Sequence, residues 1–424
     1  MPTISLAWGS TTTPMDCDPS QWSVIQPTTA GPVSGDFEEH RTGTEPLERR
    51  AEGKRVLVIV SDLTRPTGTL QFLPRLLPQL EGASRIRFLF ATGIHRPLDD
   101  GDKVAIVGQD VFDHYPMLDH EPESGNIDVG RTRFGNRVEI DHQVLEDELV
   151  VLTGAIGFHY FAGFSGGRKS LLPGVASKRS IEFNHLLVLN QAGTGRNPNV
   201  CVATMDGNPV HEDMVDGARL VDRELYLYNT ILDSNKQVRH VFSGDWVEAH
   251  KAGAAEYLSG HSVRIDRQRR LVVASCGGFP RDINMIQAHK TLEFAQYACS
   301  PGGTIILLAE CREGAGHSSF FHWFDHQDLD EFERRLRAGY EVYGQTAYSL
   351  LSKARRFRVI CVSALDPDRI RTMGMEPAPD LASALAMVDG GTAASGGYIL
   401  PYGAEVLPVV GQNPAALPAV SAKL

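Results

Sequence analysis

A chain of 424 residues is long for one hydrophobic core, so two domains are expected. With 42% hydrophobic and 22% charged residues it has an ordinary globular composition, and a formal net charge of −11 argues against a general binder of nucleic acid or anionic membranes. A local basic pocket for a small anion remains compatible with that charge. The six cysteines, at 17, 201, 276, 299, 311 and 361, are scattered and include no Cys-x-x-Cys, which describes neither a zinc framework nor a disulfide scaffold. The N-terminal MPTISLAWGS lacks a basic region leading into an apolar run, and no segment approaches the roughly 20 apolar residues of a membrane span. A reducing cytoplasm is the expected compartment.

In chain order, short apolar runs predict strands at Ile4–Trp8, Arg55–Ser61, Ile86–Ala91, Leu149–Thr153 and Leu225–Leu232. Helical patterns lie between some of them, at Leu70–Leu80 and Trp246–Leu258. The polar, charged stretch 33–54 is expected to be a long surface loop. A second series starts near Arg270: LVVASCGG, a helix from about Asn284, TIILLAEC, a helix over Asp328–Ala338, then RVICVSAL. This alternation predicts a doubly wound arrangement. The expected fold is therefore α/β, with two mixed α/β domains and the active site in the cleft between them. Residues 1–265 would form the first and 268–395 the second, with the charged stretch Arg264–Arg270 as hinge. The segment 398–424 is expected to return to the first domain.

Four groups of residues at strand ends or in loops can carry chemistry. Ser61-Asp62-Leu63-Thr64-Arg65-Pro66 follows the strand RVLVIV. Arg65 could grip a carboxylate through two parallel N–H donors, or Asp62 and Arg65 could simply cap a turn. Gly93-Ile94-His95-Arg96-Pro97 follows RIRFLFA and places a histidine after a glycine turn, suited to proton transfer or to bonding the backbone. His159–Gly174 reads HYFAGFSGGRKSLLPG, with His185 sixteen residues after Lys169. Small residues there let backbone N–H groups approach an anion, and Lys169 supplies a charge or a nucleophilic amine. Gln287-Ala288-His289-Lys290 lies on a predicted helix, where Gln287 and Lys290 share a face.

The third motif is not a nucleotide-triphosphate loop. Counted from Gly163, the second required glycine falls on Arg168, and Pro173-Gly174 limits any following helix to about one turn. Nor does a lone His185 make an ordinary protein-built zinc site, since no H-E-x-x-H is present. Any metal there needs ligands from elsewhere, such as a cofactor.

Taken together, SDLTRP, GIHRP, HYFAGFSGGRKSLLPG, His185 and QAHK resemble the nickel-dependent lactate racemase family, and the likeness spans most of the chain. The resemblance implies a pyridinium mononucleotide tethered by its thioamide to Lys169. In that nickel-pincer nucleotide, a carbon and two sulfurs bind nickel, and His185 completes the site. Soft sulfur donors and one imidazole in a flat site suit that metal. Ser165, Gly166, Gly167 and Arg168 would wall the cofactor's phosphate. His95 and His159 match the two catalytic histidines. Arg65, Gln287 and Lys290 match residues that hold substrate or cofactor, with Asp62 at the cofactor and orienting Arg65.

The implied reaction is racemisation or epimerisation of a short 2-hydroxy acid by reversible hydride transfer, which avoids a carbanion beside a carboxylate. The implied partners are cofactor-biosynthesis and nickel-insertion proteins and a small hydroxy acid, with neither nucleic acid nor membrane. The chain departs from the family at Ile94, where threonine is usual, and at Ile286, where a tyrosine is usual. The family's C-domain tryptophan has no clear match; Gln345-Thr346-Ala347 falls in its region. Lost aromatic bulk would admit a longer acid such as malate, whose second carboxylate could meet Arg96 or Arg168. Two other readings stay open: a nicotinamide-dependent 2-hydroxy acid dehydrogenase, which should carry G-x-G-x-x-G after a strand, and a non-catalytic binding protein on the same fold.

Overall fold

The computed structural model describes residues 2–27, 37–233, 235–325, 327–341 and 343–411. The chain divides into two compact units: residues 31–188 with 199–259, and residues 1–30 with 189–198 and 260–424.

The first unit holds a seven-stranded sheet. Its strands in spatial order are Glu38–Thr42, Val238–Gly244, Glu224–Leu232, Leu149–Ala155, Arg55–Ser61, Arg85–Ala91 and Met117–Asp119. The strand Arg55–Ser61 pairs in parallel with Arg85–Ala91 on one side and with Leu149–Ala155 on the other. It is central because Val56 to Val60 are all buried, an unbroken apolar run that fits a strand covered on both faces. Val58 and Val60 pack with Phe72, Leu76, Phe88, Phe90, Val151 and Tyr228 in one core. The chain leaves Arg55–Ser61 toward Arg85–Ala91 and returns on the opposite side at Leu149–Ala155. The carboxyl ends of Arg55–Ser61 and Leu149–Ala155 thus flank a topological switch point, where open α/β sheets bind ligands.

The second unit holds a six-stranded, wholly parallel sheet in the order Glu376–Ala378, Arg358–Val362, Cys299–Leu308, Arg269–Ser275, Tyr398–Leu400, Ser23–Val24. The antiparallel pair Thr3–Trp8 and Thr11–Asp16 joins its core through Leu6 and Met15.

The predicted strands and helices are present, but the chain divides differently from the expected boundaries. Residues 2–27 belong with the second unit because Ser23–Val24 pairs with Tyr398–Leu400 and Leu6 packs on that sheet. The segment from Tyr398 does not return to the first unit. Tyr398–Leu400 joins the second sheet, and Leu407–Val410 pairs with Ser262–Ile265; residues 412–424 lie outside the described residues. The expected hinge 264–270 is accordingly largely strand. Within 33–54, residues 33–36 also lie outside the described residues. The remainder includes a strand, Glu38–Thr42, and a helix, Leu47–Ala51, whose Leu47 and Ala51 are fully buried. Local composition missed both because the helix buries only Leu47 and Ala51 and the strand has no fully buried residue.

Candidate active site

Three of the four sequence motifs sit at the carboxyl ends of three neighbouring parallel strands. Asp62 follows Arg55–Ser61, His95 follows Arg85–Ala91, and the segment from Phe158 follows Leu149–Ala155. Strand order, not sequence order, assembles them.

Asp62 is 3% exposed and holds His95 rather than Arg65. Its Oδ2 lies 2.5 Å from His95 Nδ1, while Oδ1 accepts from the Thr64 N–H at 2.9 Å and the Thr64 hydroxyl at 2.7 Å. Burial pushes the Asp62 carboxyl upward, but the bond from His95, the imidazole's charge, Thr64 and Arg65 outweigh it and hold the group below its ordinary value. An ionised carboxylate at Nδ1 requires a proton there, which leaves Nε2 of the neutral ring with its lone pair. The expectation that Asp62 orients Arg65 is therefore corrected. Both carboxylate oxygens are spent on His95 and Thr64; the Arg65 N–H closes the turn on the Asp62 carbonyl at 3.1 Å, and its exposed guanidinium adds only longer-range charge to the carboxyl.

The His95 turn is tied to the lysine motif through the backbone. Gly93 has φ +55° and donates its N–H to the Gly174 carbonyl at 2.9 Å. His159 lies on the short strand Phe158–His159, paired with Gly163–Phe164. Its Nδ1 accepts from the Ala162 N–H at 3.2 Å, so the proton of the neutral ring sits on Nε2. The two candidate histidines are thus prepared as opposites, His95 with a lone pair at Nε2 and His159 with a proton there.

Phe161 gathers the rest. His159 meets its ring edge-on at 4.5 Å, His185 edge-on at 5.1 Å, and Lys169 Nζ stands 5.7 Å from its centroid. His185, in the helix Lys178–Leu186, donates from Nδ1 to the Ile181 carbonyl at 2.7 Å. That puts the lone pair of the neutral ring on Nε2, the arrangement common for metal-bound imidazole. Burial, joined by the Lys169 charge and opposed by the Ile181 bond, lowers His185 to about 4, so the ring is neutral at physiological pH.

The small-residue loop is held from within. Gly166, at φ +75°, cannot carry a side chain, because a Cβ there would stand 2.3 Å from Asn229 Oδ1. That oxygen accepts the Gly167 N–H at 2.6 Å, and the Ser165 N–H goes to the Gly157 carbonyl at 2.9 Å. The Ser165 hydroxyl donates to the Ala155 carbonyl at 2.7 Å. Arg168 is 1% exposed and donates to the carbonyls of Ala162, Phe164 and Gly166. Burial lowers its guanidinium to about 9. These bonds brace the loop that presents Lys169. Arg96 is paired with Asp102 at 2.6 and 3.1 Å.

Sequence reading missed Asn229, Phe161 and the buried pair His211 and His250. His250 stands 3.1 Å from Arg168, and burial followed by the Arg168 charge lowers it to about 3. Asn229 did leave a signal: a fully buried amide inside the apolar strand ELYLYNTIL must have a partner, and here it is the loop's own backbone.

In the second unit, Gln287 and Lys290 lie on the helix Met285–Ala298, capped by the Asn284 side chain. Lys290 Nζ donates to Gln287 Oε1 at 2.5 Å, so the pair shares a face as its spacing predicts. Tyr340 donates to Gln345 Oε1 at 2.8 Å, while Thr346 and Ala347 are buried in the helix Gly344–Arg356.

The fold and these motifs define an α/β protein that gathers three of its four motifs at the carboxyl edge of a parallel sheet. The lactate racemase N-terminal domain family matches residues 38–196, and the lactate racemase C-terminal domain family matches residues 266–406. A lactate racemase of Thermoanaerobacterium thermosaccharolyticum is 32% identical over 365 residues, 83% of this chain and 84% of that protein. One from Lactiplantibacillus plantarum is 34% identical over 360 residues, covering 81% of this chain and 82% of that protein. The lactate racemase apoprotein structure from T. thermosaccharolyticum superposes with a TM-score of 0.85 at 27% identity, over 96% of this chain and 100% of that one. A Thermotoga maritima protein shares the fold at a TM-score of 0.64 and 17% identity, over 86% of this chain and 96% of that one. The chain belongs to the lactate racemase family, a family of isomerases. No helix among the described residues is long and apolar enough to cross a membrane.

Proposed function

We propose that this chain racemises a short 2-hydroxy acid of the lactate type, using a nickel-pincer nucleotide joined to Lys169. The observation that carries the reading is the pair of differently prepared histidines: His95 held on Asp62 with its lone pair at Nε2, and His159 with its proton at Nε2. Racemisation asks one group to take the hydroxyl proton while another serves the oxygen from the other face.

The residues present fit such a cofactor. Lys169 is half-buried on a braced loop, and His185 is a neutral imidazole whose Nδ1 is fixed to a carbonyl, which makes Nε2 the nitrogen suited to nickel. When bound, the group supplies a reversible hydride acceptor. His95 takes the hydroxyl proton at Nε2, and Asp62 stabilises the charge that develops on the ring. His159 binds and protonates the oxygen from the other side. Arg65 holds the carboxylate and keeps the planar oxo acid from leaving between steps; for Gln287 and Lys290 the substrate-holding role is the one the family resemblance implies. Cofactor-biosynthesis and nickel-insertion proteins are the partners this chemistry requires, and the cytoplasm is where they would meet the chain. Arg96 is paired with Asp102 and Arg168 with loop carbonyls, which favours a monocarboxylate over malate.

The test is the protein matured with its cofactor enzymes and given single-enantiomer 2-hydroxy acids without added nucleotide. Equal mixtures from either enantiomer of lactate are expected. Turnover that depends on added nicotinamide nucleotide, with net oxo acid formed, would establish the dehydrogenase reading instead.

A further inference from the structure

The first unit carries a second histidine cluster that the racemase chemistry does not use. Among the described residues it is the one group of three His, Cys, Asp or Glu side chains whose ligand atoms all lie within 4.8 Å of one another: Glu38, His40 and His240. His40 and Glu38 come from the edge strand Glu38–Thr42, and His240 from its parallel neighbour Val238–Gly244. Residues 38 and 40 share one face of the first strand, as residues 240 and 242 do of the second, by the two-residue period. His240 is level with Glu38, and Phe242 with His40. The His40 ring stacks on Phe242 at 4.9 Å and 25°, which fixes its plane from one side.

His40 Nε2 lies 3.3 Å from His240 Nδ1 and 3.6 Å from Glu38 Oε2. Two ligands bound to tetrahedral zinc at roughly 2.0–2.1 Å stand about 3.3 Å apart. The separations from His40 to the other two donors are therefore close to those of adjacent corners of a zinc tetrahedron. The metal-free alternative is a histidine pair sharing one N–H···N bond, with the Glu38 carboxylate paired to His40.

We propose that Glu38, His40 and His240 form a divalent metal site of the zinc class, with water completing the coordination, which clamps the edge strand Glu38–Thr42 to the sheet. Imidazole and carboxylate donors suit zinc, and the Irving–Williams order admits nickel and cobalt as well. The site is separate from the lysine motif: three strand spacings, about 14 Å, separate the edge strand from Leu149–Ala155, which leads into that motif.

Tag-free protein made without the cofactor enzymes and stripped with chelator is titrated with Zn²⁺ alone, then with Co²⁺ alone. One Zn²⁺ per chain is expected, together with visible Co²⁺ absorption of tetrahedral intensity and a higher thermal midpoint. His40→Ala, His240→Ala and Glu38→Gln should each weaken binding by about tenfold or more, whereas His185→Ala should retain it. Glu38 is largely exposed, with 78% of its side chain accessible, so its variant reports on binding in a folded protein. Absence of Zn²⁺ binding by the wild type, unchanged affinity in the two histidine variants, or loss in His185→Ala alone would overturn the proposal. In the first two cases the cluster is a bare histidine hydrogen bond.

Discussion

Both units are built on sheets of mainly parallel strands with a comparable switch of direction, yet their carboxyl edges are finished in opposite ways. In the second unit the edge is sealed. Asp282, fully buried, accepts the N–H groups of Gly9 at 2.7 Å and Glu310 at 3.1 Å. The Ser275 hydroxyl donates to the Ala7 carbonyl, and Trp8 Nε1 donates to the Val362 carbonyl. The N-terminal strand pair thus satisfies that edge with backbone. In the first unit the equivalent edge carries an Asp62 that holds an imidazole, together with an exposed arginine and a half-buried lysine. A shared architecture offers a ligand position; whether it becomes a site depends on what the loops leave available.

The largest effect should come from removing the tether. Lys169→Ala should lose all racemisation after co-maturation, and intact-protein mass should lack the cofactor adduct present in the wild type. An equal adduct in the variant would remove Lys169 from the proposal and leave its loop merely structural.

Next come the histidines. His95→Ala and His159→Ala should each reduce racemisation in both directions by roughly 10²–10⁴-fold. Single-turnover quench experiments with pure enantiomers should show opposite enantiomer preferences in the two variants. The same preference in both would mean that one histidine serves both faces.

Arg65→Ala should lower kcat/KM by at least about tenfold, with an unchanged unfolding transition, since its guanidinium is exposed and makes only long contacts to Thr64 at 3.4 Å. Wild-type kinetics would leave the carboxylate to other residues.

Asp62→Asn should cost about 10–100-fold in kcat through His95 while leaving KM nearly unchanged. It should also change the acid response of stability. The folded Asp62 carboxyl is held below its ordinary value of 3.8, so its contribution is present above that value and fades as pH falls through the lower folded one. The stability difference between wild type and variant should therefore narrow in acid. A constant difference across that range would show that the carboxylate's charge is not what matters.

The smallest effect on chemistry is expected at the sealed edge. Asp282→Ala leaves two backbone donors without their acceptor and should cost about 2–4 kcal/mol in denaturant unfolding. Turnover per folded molecule should stay near wild type. A large kcat loss with unchanged stability would erase the distinction between the two edges.

Much of this was written locally. Arg55–Ser61, Arg85–Ala91 and Glu224–Leu232 are largely apolar runs, and burial of such a run on both faces depends little on distant residues. The lysine motif was equally readable, because glycines with positive φ and a single lysine mark a presented loop wherever they fold. Tertiary structure decided the pairings. Asp62 chose His95, 33 residues away, over nearby Arg65, because strand order brings the ends of Arg55–Ser61 and Arg85–Ala91 together. Arg168 became an internal brace because the loop folds three of its own carbonyls around the guanidinium, something composition does not encode. The unit boundaries were decided the same way: Ser23–Val24 and Tyr398–Leu400 are too short to be stable alone and take their place only from the sheet edge that accepts them.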